Sequence, residues 1–160
     1  MKKVLIDYLY IDLKTCDRCL GTDKVLRKVL AELVPALKLA GYKVYLRKVE
    51  IATPEMAQKY CLVTSPTIRV NGHDICKSVE ENNCSCCSEI SNTSVNCRVF
   101  VYKGKKYETP PQEMLADAIL KAIFRRHIKP CQASDYVMPA NLKAFFAGKA
   151  DKLRNKRTCC

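Results

Sequence analysis

The chain has 160 residues, 48% of them apolar, and a formal net charge of +12. About 70% of the unfolded surface of such a chain can be buried without cross-links, which excludes a disordered polymer and a disulfide-dependent miniprotein; no apolar run reaches the ~18 residues of a membrane span. Residues 125–160 hold nine Lys or Arg against two Asp; without aromatic interleaving or a nucleic-acid motif, this reads as a solvated basic tail and argues against a nucleic-acid partner.

The N-terminal Met1-Lys2-Lys3-Val4-Leu5-Ile6 begins like a signal peptide, but Asp7 and Asp12 interrupt the apolar run. No small-residue cleavage site follows, and Lys14 stands where a lipoprotein signal needs a small residue before Cys16. The expectation is therefore a cytoplasmic chain with no membrane attachment. Eleven cysteines are many for a reducing compartment, and the odd count leaves at least one outside any intramolecular disulfide. They point to redox chemistry or to a soft metal. Cys61, between apolar neighbours, suits a core filler.

Residues 4–13 are rich in β-formers and predict a buried strand. A polar turn with Cys16 and Cys19 follows, then a helix over about residues 22–40, on which Leu26, Leu30, Leu33 and Leu37 form one stripe. Pro35 should kink this helix or end it early, and Gly41 should stop it. Residues 42–51 predict a second strand. Thr53 caps a short helix that has Pro54 at its first position. Residues 67–70 read as a third strand, and Asn71-Gly72 as a two-residue hairpin turn returning through residues 73–76.

Residues 77–97 are polar and cysteine-rich and read as a loop. A second hairpin is expected over residues 98–108, turning at Lys103-Gly104. Pro110 and Pro111 then open a helix to about His127, with Leu115, Ala118, Ile119, Ala122 and Ile123 on its apolar face. Residues 141–149 suit a short helix, and the charged end over 151–158 is expected to be mobile.

The order strand, C-x-x-C, helix, strand, helix, strand, hairpin, helix resembles the thioredoxin fold over residues 3–127. Two features carry the likeness: Cys16-Asp17-Arg18-Cys19 sits between the first strand and the first helix, and Ser65-Pro66-Thr67 stands just before the third strand. Ile6-Asp7-Tyr8-Leu9-Tyr10 and Ser78-Val79-Glu80-Glu81-Asn82-Asn83-Cys84 also resemble an uncharacterised thioredoxin-like family of bacteria and archaea, which carries no established activity. The resemblance implies an α/β fold with a central mixed sheet of four to five strands flanked by helices. It makes residues 1–127 the domain, with the cysteine-rich loop inserted at 77–97 and a basic extension at 128–160. It also implies that Pro66 is cis beside the C-x-x-C and that Ser65 offers its backbone to a bound thiol or peptide. The chain departs from a minimal thioredoxin in having Thr15, not Trp, before Cys16.

Two chemistries follow. If the first helix begins at Cys16, its unpaired N–H groups and Arg18 favour the Cys16 thiolate, and Cys19 can resolve a mixed disulfide with a protein or small-molecule substrate. If it begins at Thr22, the pair looks more like a metal knuckle. The second chemistry is a soft-metal or metalloid site (zinc, copper(I), arsenite, mercury or an iron–sulfur cluster) built from Cys76, Cys84, Cys86, Cys87 and Cys97, whose spacing matches no common zinc or ferredoxin pattern. The same thiols also suit a relay passing a disulfide to Cys16 and Cys19, or a loop with no common task. His73 reads as a hairpin surface residue. Cys159 and Cys160 resemble the terminal thiols with which some reductases, mercuric reductase among them, carry electrons or metal; the alternative is a disordered end whose reactive thiols have no task.

Overall fold

The computed structural model describes residues 1–76, 78–125 and 132–158. Strand β1 (Lys2–Tyr10) lies at the centre of the larger sheet and buries Val4, Ile6, Tyr8 and Leu9. Helix α1 (Asp17–Leu39) lays Leu26, Val29, Leu30 and Leu37 against it. Pro35 sits on the solvent side of α1, where water can take the carbonyl that its missing N–H leaves free, so the helix runs through it to Leu39. Gly41, at φ +83°, closes the helix through its N–H to Lys38 O.

Strand β2 (Tyr42–Glu50) pairs parallel with β1 from Lys2↔Tyr42 to Tyr10↔Glu50. Helix α2 (Pro54–Tyr60) starts as expected, with Met56 N–H donating to Thr53 Oγ1. Strand β3 (Thr67–Val70) pairs antiparallel with the other edge of β1, and β4 (His73–Asp74) returns from it around Asn71-Gly72. Both turn residues have positive φ, and Asn71 Oδ1 accepts from Leu5 N–H at 2.9 Å. The sheet order is β2-β1-β3-β4.

The expected loop over residues 77–97 is instead largely regular structure. Strand β5 (Glu80–Asn83) pairs antiparallel with β6 (Asn96–Tyr102), and helix α3 (Ser85–Ser91) lies between them. Strand β7 (Lys105–Tyr107) completes a second sheet of order β5-β6-β7. The single sheet of four to five strands is thus two sheets, of four and three strands. They do not merge because β4 is only two residues long and β6 faces it through a side chain. The fully buried Arg98 reaches Asp74 Oδ2 at 2.8 Å and Thr67 Oγ1 at 3.2 Å, while its backbone N–H donates to Ser65 O at 2.8 Å.

Helix α4 (Gln112–Phe124) packs Leu115, Ile119 and Ile123 into the core shared by α1, β1 and β3. The C-terminal segment is one helix, α5 (Ala140–Thr158), longer than the short helix expected over 141–149, and its first turns bury Leu142, Phe145 and Phe146. Its aromatic pair belongs to a second core, with Leu9, Ile11, Val49, Ile51, Leu62 and five cysteines, Cys16, Cys19, Cys84, Cys87 and Cys97. No described helix is long and apolar enough to cross a membrane.

Candidate metal centre

Helix α1 begins at Asp17 with Cys16 as its N-cap, and the Cys16 carbonyl accepts from Leu20 N–H at 3.0 Å. Of the two starts the sequence allowed, the one at Cys16 is therefore present. Cys84 is the N-cap of α3, placed by its own N–H to Val95 O at 2.8 Å and by Ser88 N–H to its carbonyl at 3.0 Å. Cys87 lies one turn into α3, and Cys97 sits in β6 opposite Asn82.

These elements bring four sulfurs together. The Sγ atoms of Cys16, Cys84, Cys87 and Cys97 all lie within 4.8 Å of one another. Cys87 Sγ is 3.7 Å from Cys16 Sγ, and Cys97 Sγ is 3.4 Å from Cys87 Sγ. Cys84 is 2% exposed and the other three 0%. All four are thiols, not disulfides.

The protonation pattern follows from this crowding. Cys16 is held well below the ordinary thiol value, because Cys19 foremost, then Cys84, Cys87 and Cys97, hydrogen-bond to its sulfur. Cys87 and Cys97 are pushed up, each chiefly by the Cys16 sulfur and next by Cys84. Cys84 feels an upward push from Cys16 that Cys87 and Cys97 outweigh, and it is lowered to about 7. Like charges this close cannot all form alone. A bound dication removes that obstacle and lets every sulfur ionise.

Arg18 ties the two halves of the site together. Its guanidinium donates to Asn83 O at 2.8 Å, to Cys97 O at 3.4 Å and to Asn82 Oδ1, and it pairs with Glu108 Oε1 at 2.8 Å. Asn83 is the neighbour of a cluster cysteine and Cys97 is a cluster cysteine, so this one side chain links α1 to both β5 and β6.

The remaining candidate residues fall outside the four-sulfur group. Cys19 is fully buried one turn into α1, with its Sγ 3.8 Å from Ser65 Oγ and its carbonyl accepting from Tyr8 OH at 2.6 Å. Ser65 Oγ also accepts from Ile11 N–H at 3.2 Å, and the Ser65–Pro66 peptide bond is cis. Cys76 lies apart, in the wall of a cavity of about 400 Å³ between β4, β6 and α4, and burial raises its thiol to about 11. Cys86 turns its sulfur outward to Asp17 Oδ2 at 3.9 Å. The cluster expected from five cysteines thus loses Cys76 and Cys86 and gains Cys16. His73 lies in the β3–β4 hairpin, outside the group. Cys159 and Cys160 lie outside the described residues.

Sequence reasoning passed over two signals. Cys84-Ser85-Cys86-Cys87 contains a second C-x-x-C, masked by the cysteine inside it. Arg18, between the first two cysteines, was weighed only as a charge, although its planar fork can join several carbonyls.

No curated protein and no solved structure matches the chain. A family model described as "Domain of unknown function (DUF2703)" matches residues 4–119, a span that includes Cys16, Cys84, Cys87 and Cys97. The chain belongs to this family of domains of unknown function.

Proposed function

We propose that the protein binds one soft metal ion, of zinc type, between Cys16, Cys84, Cys87 and Cys97. The observation that carries the reading is the convergence of four buried sulfurs. A tetrahedral ion with metal–sulfur bonds of about 2.3 Å requires sulfur–sulfur edges of about 3.8 Å, close to the 3.4 and 3.7 Å separations here. An iron–sulfur cluster would need the ligands spread around a larger inorganic core than a 4.8 Å group allows. Four protein sulfurs leave no open coordination position, the arrangement of a structural, storage or transfer site and not of a hydrolytic one. A dication with four thiolates carries a net charge of about −2, and the Arg18 guanidinium, on the carbonyls of Asn83 and Cys97, offsets part of it.

The scaffold supports a thioredoxin-like reading through its first sheet: β1 and β2 are parallel, β3 is antiparallel to β1, and the C-x-x-C opens α1. The separate β5-β6-β7 sheet departs from that pattern. A second functional reading, dithiol–disulfide exchange with Cys16 attacking and Cys19 resolving, is favoured by the α1 N-cap position of Cys16 and by Cys19 beside Ser65. The complete burial of both sulfurs opposes a protein disulfide as substrate.

Cobalt(II) titration of the reduced, metal-free protein tests the metal reading. The expected result is one equivalent bound with the intense visible and charge-transfer bands of a tetrahedral tetrathiolate, abolished or reshaped in Cys97→Ser. Weak octahedral bands, or a spectrum unchanged in Cys97→Ser, would refute it.

A further inference from the structure

Cys16 belongs to two constellations at once. Its sulfur is one of the four converging atoms, and its place in the chain pairs it with Cys19 one turn into α1. We propose that the metal-filled tetrathiolate and a Cys16–Cys19 disulfide are alternative states of one site, so that a low-molecular-weight disulfide expels the ion. This inference rests on the metal reading above.

Three observations carry it. Cys19 is a buried thiol that is not one of the four cluster members, and it lies between the Cys16 sulfur, to which it hydrogen-bonds, and the neutral Ser65 hydroxyl at 3.8 Å. Pairing it with Cys16 takes one ligand from the metal, whereas a disulfide between Cys84 and Cys87 would take two. Cys16 is also the N-cap, with extended backbone at φ −86° and ψ 106°. An N-cap side chain naturally reaches over the third helical residue, which here is Cys19. Finally, the cover is thin. Cys16 has no exposed surface, but its neighbours Thr15 and Asp17 are exposed. The segment before it is held by a local turn in which Asp12 Oδ1 accepts from the N–H groups of Lys14 and Thr15 at 2.7 Å. Such a turn can lift as a unit and admit a small disulfide without breaking a strand ladder.

The step balances. The Cys16 thiolate attacks a sulfur of the external disulfide RSSR, releasing one RS⁻ and forming a mixed disulfide. Cys19 gives up its proton and attacks the Cys16 sulfur, releasing the second R group as thiol. RSSR takes the two electrons and becomes RS⁻ and RSH; Cys16 and Cys19 are oxidised to one disulfide. The ion keeps its charge and leaves because three thiolates hold it less tightly than four.

The test uses full-length, zinc-loaded protein, oxidised glutathione and a chromophoric zinc chelator, with peptide mapping of disulfides after acid quench. The expected result is one Cys16–Cys19 disulfide per zinc released, reversal by dithiothreitol with zinc present, and, in Cys19→Ser, which still binds one zinc, a Cys16–glutathione mixed disulfide in place of the internal one. The zinc content of that variant reports that its site is folded. Zinc release from Cys19→Ser without a mixed disulfide on Cys16, a wild-type disulfide between two of Cys84, Cys87 and Cys97, or no release at all would overturn the inference and leave the metal reading standing. Failure of the wild-type chain to bind zinc would overturn both.

Discussion

Replacing Arg18 by Ala tests how the site is held together. The guanidinium is 10% exposed and its acidic partner Glu108 is 62% exposed, so the ion pair itself contributes little. The larger cost lies in the carbonyls it leaves behind. Asn83 O, Cys97 O and Asn82 Oδ1 all lose a charged donor. Each buried acceptor left unpaired costs about 1–3 kcal/mol. Asn82 and Asn83 are exposed, so water can take up their acceptors, and the 3.4 Å contact to Cys97 O is weak, so a loss of about 1–2 kcal/mol is expected for the metal-free protein. Urea unfolding, followed by far-ultraviolet circular dichroism in the presence of chelator, measures it. Arg18→Lys keeps the charge but not the fork, and it should recover only a minor part. Because the same carbonyls set the backbone of Cys84 and Cys97, zinc affinity should fall together with stability. A loss below about 0.5 kcal/mol with unchanged zinc affinity would show that β5 and β6 hold the cysteines without α1.

Other consequences can be checked independently. In Gly148→Ala, the added Cβ would stand 2.3 Å from Ser91 O and 2.7 Å from Thr93 Cγ2. Ala gains about 1 kcal/mol in helix propensity, but the clash with backbone should reverse the sign and cost about 1–3 kcal/mol by thermal unfolding; a stabilised variant would mean that α5 does not press on α3. Cys76, with its thiol raised to about 11 by burial, should react with iodoacetamide at pH 8 about a hundredfold more slowly than an ordinary thiol of pKa 9.0, a ratio that peptide mass spectrometry reads directly. In the metal-free protein Cys84 is lowered to about 7 from 9.0. A lowered thiol contributes stability that is complete above pH 9.0 and is lost as pH falls through about 7. The stability difference between wild type and Cys84→Ser should therefore grow from pH 7 to pH 9, and a flat difference would contradict the assigned thiolate.

What the sequence made legible was what short-range physics fixes. The leucine stripe of α1, the Thr53–Pro54 start of α2 and the Asn71-Gly72 turn each carry their cause within a few residues. The β5–α3 segment carries no such signal. Glu80-Glu81-Asn82-Asn83 has neither β-branched residues nor alternation, and it is a strand because β6 pairs with it and Arg18 grips its last carbonyl. The role of α5 was illegible in the same way: its charged end faces solvent, as the charge suggests, but Leu142, Phe145 and Phe146 anchor its start in the cysteine core. Cys16 was legible as a chemical residue but not as a neighbour of Cys84, because only the tertiary fold closes the chain between them.

Native mass spectrometry of anaerobically purified, zinc-supplemented protein tests the central claim most directly, with single Cys→Ser variants compared side by side. The account predicts one zinc ion per wild-type chain, lost or greatly weakened in Cys16→Ser, Cys84→Ser, Cys87→Ser and Cys97→Ser, and retained in Cys19→Ser, Cys76→Ser and Cys86→Ser. A metal-free wild-type chain, or zinc whose retention depends on Cys76 or Cys86 and not on Cys97, would contradict it.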